Sequence, residues 1–96
     1  MAVAIMFEFS GATLDQYDRV VERMNLGGKT APGGIFHVCG PTENGIRIVD
    51  VWESQEVFEK FSKEQIEPIT REFGMHGPKV TIWPVHNILT PTPSGS

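Results

Sequence analysis

Cysteine is almost absent from this chain: Cys39 stands alone, so no internal disulfide can staple the fold. A lone thiol agrees with a reducing compartment, and a cytoplasmic location is the expectation. Basic residues are also scarce. Eight Lys and Arg face 12 Asp and Glu, giving a net charge of −4, and the basic residues form no cluster. A nucleic-acid surface needs a stripe of Lys and Arg, so no nucleic-acid partner is expected. No apolar run approaches the roughly 20 residues of a membrane span, so no membrane partner is expected. The apolar start, MAVAIMFEF, has no basic leader and runs into charged sequence, and reads as a strand rather than a signal peptide. There is no glycine-rich phosphate loop and no G-x-G-x-x-G after a strand, which removes the usual nucleotide sites.

What is present has a clear order. Residues 2–9 form a strand candidate, apolar on both faces until Glu8. Thr13 is a helix N-cap with Gln16 as its capping-box partner, and Leu14, Tyr17, Val20, Val21 and Met24 follow at helical spacing. Gly27-Gly28 is expected to end that helix. Ser54 caps a second helical region whose apolar positions run through Val57, Phe58 and Phe61 to Ile66, Ile69 and Phe73. Pro68 lacks an N–H and would clash with the Glu64 carbonyl, which predicts a break or kink near residues 62–65 and two short helices. Residues 79–89 read as a last strand, with Pro84 marking an edge. Residues 90–96, TPTPSGS, read as a flexible tail after a domain spanning 1–89.

Between the helices lies the most informative stretch, GGIFHVCGPTENGIRIVDVWES, residues 33–54. It reads as a β-hairpin, in which successive side chains point to opposite faces. An Asn44-Gly45 turn pairs Cys39 with Asp50 and His37 with Trp52; the alternative register pairs His37 with Asp50. Either register gathers His37, Cys39, Asp50 and Trp52 on one face, with Ile35 and Ile48. Phe36, Val38, Val49 and Val51 share the other. The order β-α-β-β-α-β predicts a ferredoxin-like α+β fold: a four-stranded antiparallel sheet with both helices on one face. The aliphatic hairpin face is expected to meet Leu14, Tyr17, Val21, Phe58 and Phe61. The face carrying Trp52 is then open, and too apolar to stay wet unless a second copy covers it and leaves a cavity between the two.

The strand ending in FSG, the helix TLDQYDRVVERM, the strand-to-helix junction DVWES and the closing PVHNIL carry a resemblance that covers about residues 1–89. In these stretches the chain resembles the dimeric α+β barrel superfamily, and within it the antibiotic-biosynthesis-monooxygenase-like domains. The resemblance implies a homodimer through sheet faces, a small-molecule ligand in the barrel, and Trp52 as a pocket wall. Heme-degrading members ligate iron through a histidine of the second helical region, and residues 54–74 contain none. No cofactor is therefore expected, and any oxygenation would use O₂ and an electron-rich aromatic or enolic substrate directly.

His37 and Asp50 are the candidate catalytic pair. An imidazole that titrates near neutral pH suits a general base, and a carboxylate beside it would orient the ring. The plainer reading is a structural ion pair, because a buried carboxylate needs a partner; His37, Arg47 and His86 are candidates, Arg47 the poorest by parity. Trp52, Ile35, Ile48, His86 and Tyr17 are the candidate substrate contacts. Trp52 is either pocket wall or interface core, His86 either cavity or solvent, and Tyr17 core with its hydroxyl at the rim. Cys39 reads as a small apolar filler. The His, Cys and Asp spacing matches no zinc pattern, so no metal is expected. The leading reading is a cofactor-independent monooxygenase-like enzyme. The alternatives are a ligand-binding or stress-response barrel without turnover, and a non-oxidative cyclase or isomerase.

Overall fold

Helix signals and turn signals in the chain divide it as the order of elements requires. The computed structural model describes residues 1–91 and runs β1 (Val3–Ser10), α1 (Leu14–Met24), β2 (Gly34–Thr42), β3 (Gly45–Trp52), α2 (Gln55–Phe61), a π turn (Ser62–Ile66), α3 (Glu67–Glu72) and β4 (Lys79–Pro84). The strands form one antiparallel sheet in the order β2-β3-β1-β4, and the helices cover one face of it. This is the ferredoxin-like α+β arrangement.

The helix caps work as the sequence implies. Thr13 Oγ1 accepts from the Gln16 N–H at 3.2 Å, and Gln16 Oε1 accepts from the Thr13 N–H at 2.9 Å. The helix ends at Asn25, which takes the left-handed conformation (φ 54°), so Gly27 and Gly28 turn the following loop rather than stop the helix. Ser54 Oγ caps α2 by accepting from the Val57 N–H at 3.2 Å. The break or kink expected before Pro68 takes the form of a π turn between two short helices. Glu67 N–H reaches back five residues to the Ser62 carbonyl, and the backbone stays right-handed throughout. Pro68 then falls in the first turn of α3, where a missing N–H is tolerated. β4 stops at Pro84 rather than continuing to residue 89; it is an edge strand, and one further bond, Val85 N–H to the Ala2 carbonyl at 3.0 Å, finishes the ladder. Of the expected flexible tail, residues 92–96 lie outside the described residues.

The two hairpin faces are reversed relative to expectation. The grouping of residues by face holds except at Ile35, but the face of His37, Cys39, Asp50 and Trp52 is the one that packs against the helices. Register explains why: Ile5 pairs with Asp50, Phe7 with Ile48 and Phe9 with Ile46, so the bulky odd-numbered residues of β1 share that face. Ile5, Phe7, Phe9, Ile46, Ile48 and Trp52 form the core with Val20 and Phe58 of the helices. The open face carries Val38, Val49 and Val51, and the ion pair of Arg47 with Glu8 at 3.1 Å. Asp50 is buried, as the sequence reading expects, at 5 % exposure, but beneath the helices rather than on the open face.

Candidate active site between sheet and helices

Two strands and one helix build the site. The hairpin takes the register in which His37 faces Asp50, with Thr42 opposite Gly45 closing a two-residue turn at Glu43-Asn44. His37 Nδ1 lies 2.6 Å from Asp50 Oδ1. The other carboxylate oxygen, Oδ2, accepts from Trp52 Nε1–H at 3.2 Å. On the far side of the imidazole, the capping box starts α1 so that Tyr17 comes one turn after Thr13, and its hydroxyl lies 2.5 Å from His37 Nε2. Four side chains thus form a line: Tyr17, His37, Asp50, Trp52.

The line fixes its own protons. A carboxylate between two N–H donors makes Nδ1 the protonated ring nitrogen, which leaves Nε2 to accept from the Tyr17 O–H. Both oxygens of buried Asp50 are occupied, and among the described residues no buried side-chain polar atom lacks a partner. Burial, then the negative charges of Cys39, Asp50 and Asp18, push the Tyr17 hydroxyl up to about 12, so it remains a phenol across the physiological range. Burial, with Asp18 and Asp50, also raises the Cys39 thiol, which favours the inert neutral form. Trp52 is held in place by Phe58 (ring centroids 5.7 Å apart, edge-on) and Phe61 (5.4 Å).

This line forms part of the wall of a cavity of about 340 Å³ between the sheet and α1 with its following loop. Its other walls are mainly apolar, from Phe7 and Phe9 on the sheet to Val20 and Met24 on α1. The volume lies at the small end of the usual range for ligand sites. Of the predicted site residues, Tyr17, His37, Asp50, Trp52 and Ile48 all line it. Ile35 and His86 are not among its lining residues. Ile35 sits at a β-bulge between Gly34 and Phe36, which takes it out of the alternation, and is 48 % exposed. His86 lies beyond the end of β4 and is exposed. Asp50 finds His37 rather than Arg47, which pairs with Glu8 on the open face. The indole N–H as a partner for Asp50 is missed by the sequence reading, although two residues apart on one strand face was the available signal. Among the described residues, no three His, Cys, Asp or Glu side chains gather as metal ligands, and no helix is long and apolar enough to cross a membrane.

A ferredoxin-like sheet with a polar relay set into an apolar chamber beneath its helices is the class these features define. No protein-family model matches the chain, and neither does any curated protein. Solved structures do match. SnoaB, a cofactor-independent oxygenase from Streptomyces nogalater, superposes with a TM-score of 0.64 at 11 % identity, over 92 % of this chain and 95 % of that one. A monooxygenase from the gene ActVA-Orf6 of Streptomyces coelicolor, solved with the ligand nanaomycin D, gives 0.53 at 20 % identity, over 95 % and 92 %. A dimeric ferredoxin-like protein of unknown function from Thermobifida fusca gives 0.58 at 12 % identity, over 88 % and 92 %. The chain has the fold of the antibiotic-biosynthesis-monooxygenase-like proteins of the dimeric α+β barrel superfamily.

Proposed function

We propose that the chain is a cofactor-independent monooxygenase acting on a small aromatic or enolic substrate bound in the cavity of each protomer, with two protomers joined through their open sheet faces. The observation that carries this reading is the relay itself: a base, His37 Nε2, oriented by a buried carboxylate and reached through a phenol, in a chamber whose other walls are mainly apolar. A substrate hydroxyl gives its proton to the Tyr17 oxygen as the Tyr17 proton passes to Nε2. The imidazolium so formed stays paired with Asp50. Neutral surroundings then favour electron transfer, because the substrate anion is poorly solvated there.

The oxidative step follows the fold relatives, of which SnoaB is described as a cofactor-independent oxygenase. The anion gives one electron to O₂, and the resulting substrate radical and superoxide combine to form a C–O bond. The imidazolium returns its proton to the distal oxygen, giving a hydroperoxide on a carbon that still bears hydrogen. Loss of that hydrogen as a proton, with cleavage of the O–O bond, yields a carbonyl and water. One oxygen atom enters the product and the other leaves as water.

Oxygen uptake with anthrone-type and hydroquinone-type substrates tests the reading. Wild type is expected to consume O₂, and His37→Ala to lose about 100-fold or more of the rate, as loss of a general base implies. Equal rates in the two proteins remove His37 from the chemistry. A compound that binds without O₂ uptake and unchanged in structure identifies a binding barrel; one that is rearranged without O₂ uptake identifies a non-oxidative enzyme.

A further inference from the structure

A second cavity of about 320 Å³ lies beneath α3 and the loop after it. Five side chains line both cavities: Phe7, Phe9, Ile66, Thr70 and Met75. The wall between the two chambers is therefore one side chain thick. Its parts differ in how readily they yield. Phe7 and Phe9 are packed on the sheet floor, where their rings lie 6.1 Å apart. Thr70 is tied to its own helix, its hydroxyl donating to the Ile66 carbonyl at 2.7 Å. Met75 has its backbone anchored, with its N–H on the Thr70 carbonyl at 2.8 Å; its side chain is buried in the core, but it is unbranched and the most adaptable of the five in shape. The π turn that Pro68 imposes ends at Ile66, on this same wall, and π turns recur at functional sites. The far end of the second cavity is lined by the exposed Glu67, Arg71 and His76.

We propose that the two cavities are lobes of one ligand chamber, with Met75 as a displaceable partition. The ligand class is a hydroxylated ring with an elongated apolar extension. The ring hydroxyl meets Tyr17 in the first lobe, and the extension passes Met75 into the second. This deepens the proposed function and rests on its placement of the substrate hydroxyl, but its test reads binding, not turnover.

The ligands used are para-ethylphenol and para-octylphenol, followed by amide NMR shifts and by calorimetry. In wild type, para-octylphenol is expected to bind one per protomer and shift the amides of His76 and Val80, which touch only the second lobe, together with that of His37. Para-ethylphenol shifts His37 alone. Each methylene buried past the partition adds about fourfold in affinity. Met75→Ala is expected to raise the affinity ratio of the long to the short phenol by at least that factor of about four. Ile66→Val, which removes one methyl from the same wall and leaves the fold intact, moves the ratio in the same direction by less, and decides the matter if Met75→Ala fails to fold. The partition is overturned if either phenol fails to bind, if para-octylphenol leaves His76 and Val80 unmoved, or if the variants change both affinities by one common factor. Phenol binding across both lobes, with no O₂ uptake from the anthrone-type and hydroquinone-type compounds, retains the partition and removes the oxygenase; turnover of those compounds without second-lobe shifts from para-octylphenol does the reverse.

Discussion

Asp50 carries two duties at once, holding the indole of Trp52 and setting the proton position on His37, and one isosteric change separates them. Asp50→Asn keeps the volume and one acceptor oxygen, so the fold is expected to survive. Its amide nitrogen, turned to Nδ1, forces that nitrogen to become the acceptor and puts the ring proton on Nε2, where it blocks transfer from Tyr17. O₂ uptake is then expected to fall about 100-fold or more while nitrogen NMR reports the altered tautomer. Asp50→Ala, which strips both donors of their partner, is expected to cost about 3 kcal/mol of stability in addition, read by denaturant unfolding. Tyr17 offers a second check, because it is the only tyrosine in the chain. Its tyrosinate absorbance is expected to titrate near pH 12 rather than 10. The linkage runs one way: above pH 10 the unfolded chain ionises first while the folded chain keeps its proton, so stability falls as pH rises from 10 to about 12. Tyr17→Phe removes that slope; an unchanged slope in the variant assigns it elsewhere. The His37–Asp50 pair was legible in the sequence because strand alternation put the two on one face in either hairpin register. Tyr17 was legible as a core residue and candidate substrate contact, but its bond to His37 was not, since the contact depends on where α1 crosses the sheet, and no local pattern encodes a crossing.

At the scale of elements, the caps were the easiest features to read and the turns the hardest. Thr13 and Ser54 announced their helices through side-chain oxygens placed three residues before free N–H groups. Pro68 announced a disturbance, but not its form. A broken helix and a π turn both remove the clash, and tertiary packing of Ile66 and Ile69 on the sheet decides between them. The choice of hairpin face failed for a related reason. Alternation divides residues into two sets, and which set is covered depends on the neighbouring strand, here the Ile5, Phe7 and Phe9 row of β1. The loop from α1 to β2 contains a tight local constraint. Gly33 has φ 87°, and a Cβ there would lie 2.3 Å from Val57 Cγ1; its carbonyl also accepts from the Glu53 N–H at 2.9 Å. Gly28 has φ 76° with nothing within 4 Å of the same position. Gly28→Ala is therefore expected to cost about 1 kcal/mol, from backbone strain alone. Gly33→Ala is expected to cost more, about 2–3 kcal/mol, and to loosen the loop over the cavity. Thermal melts of the two variants side by side check the ordering.

For the whole molecule, the reversal of faces changes what association is for. The open face presents Val38 (48 % exposed) at one edge, Trp83 (41 %) at the other and, between them, Val49 and Val51. An apolar surface of that kind on a four-stranded sheet is the ground for the proposed joining of two protomers. Light scattering at micromolar concentration is expected to give a dimer for wild type and a monomer for Val38→Glu; a wild-type monomer contradicts the joined-sheet arrangement. The superfamily likeness was legible from DVWES and the order of elements, yet it suggested a chamber between subunits, whereas the relay and its cavity are formed within one chain. Under the proposed function each protomer would therefore work alone. Mixed dimers pairing one wild-type subunit with one His37→Ala subunit should turn over substrate at half the wild-type rate, neither abolished nor rescued, because neither partner lends a group to the other's chemistry.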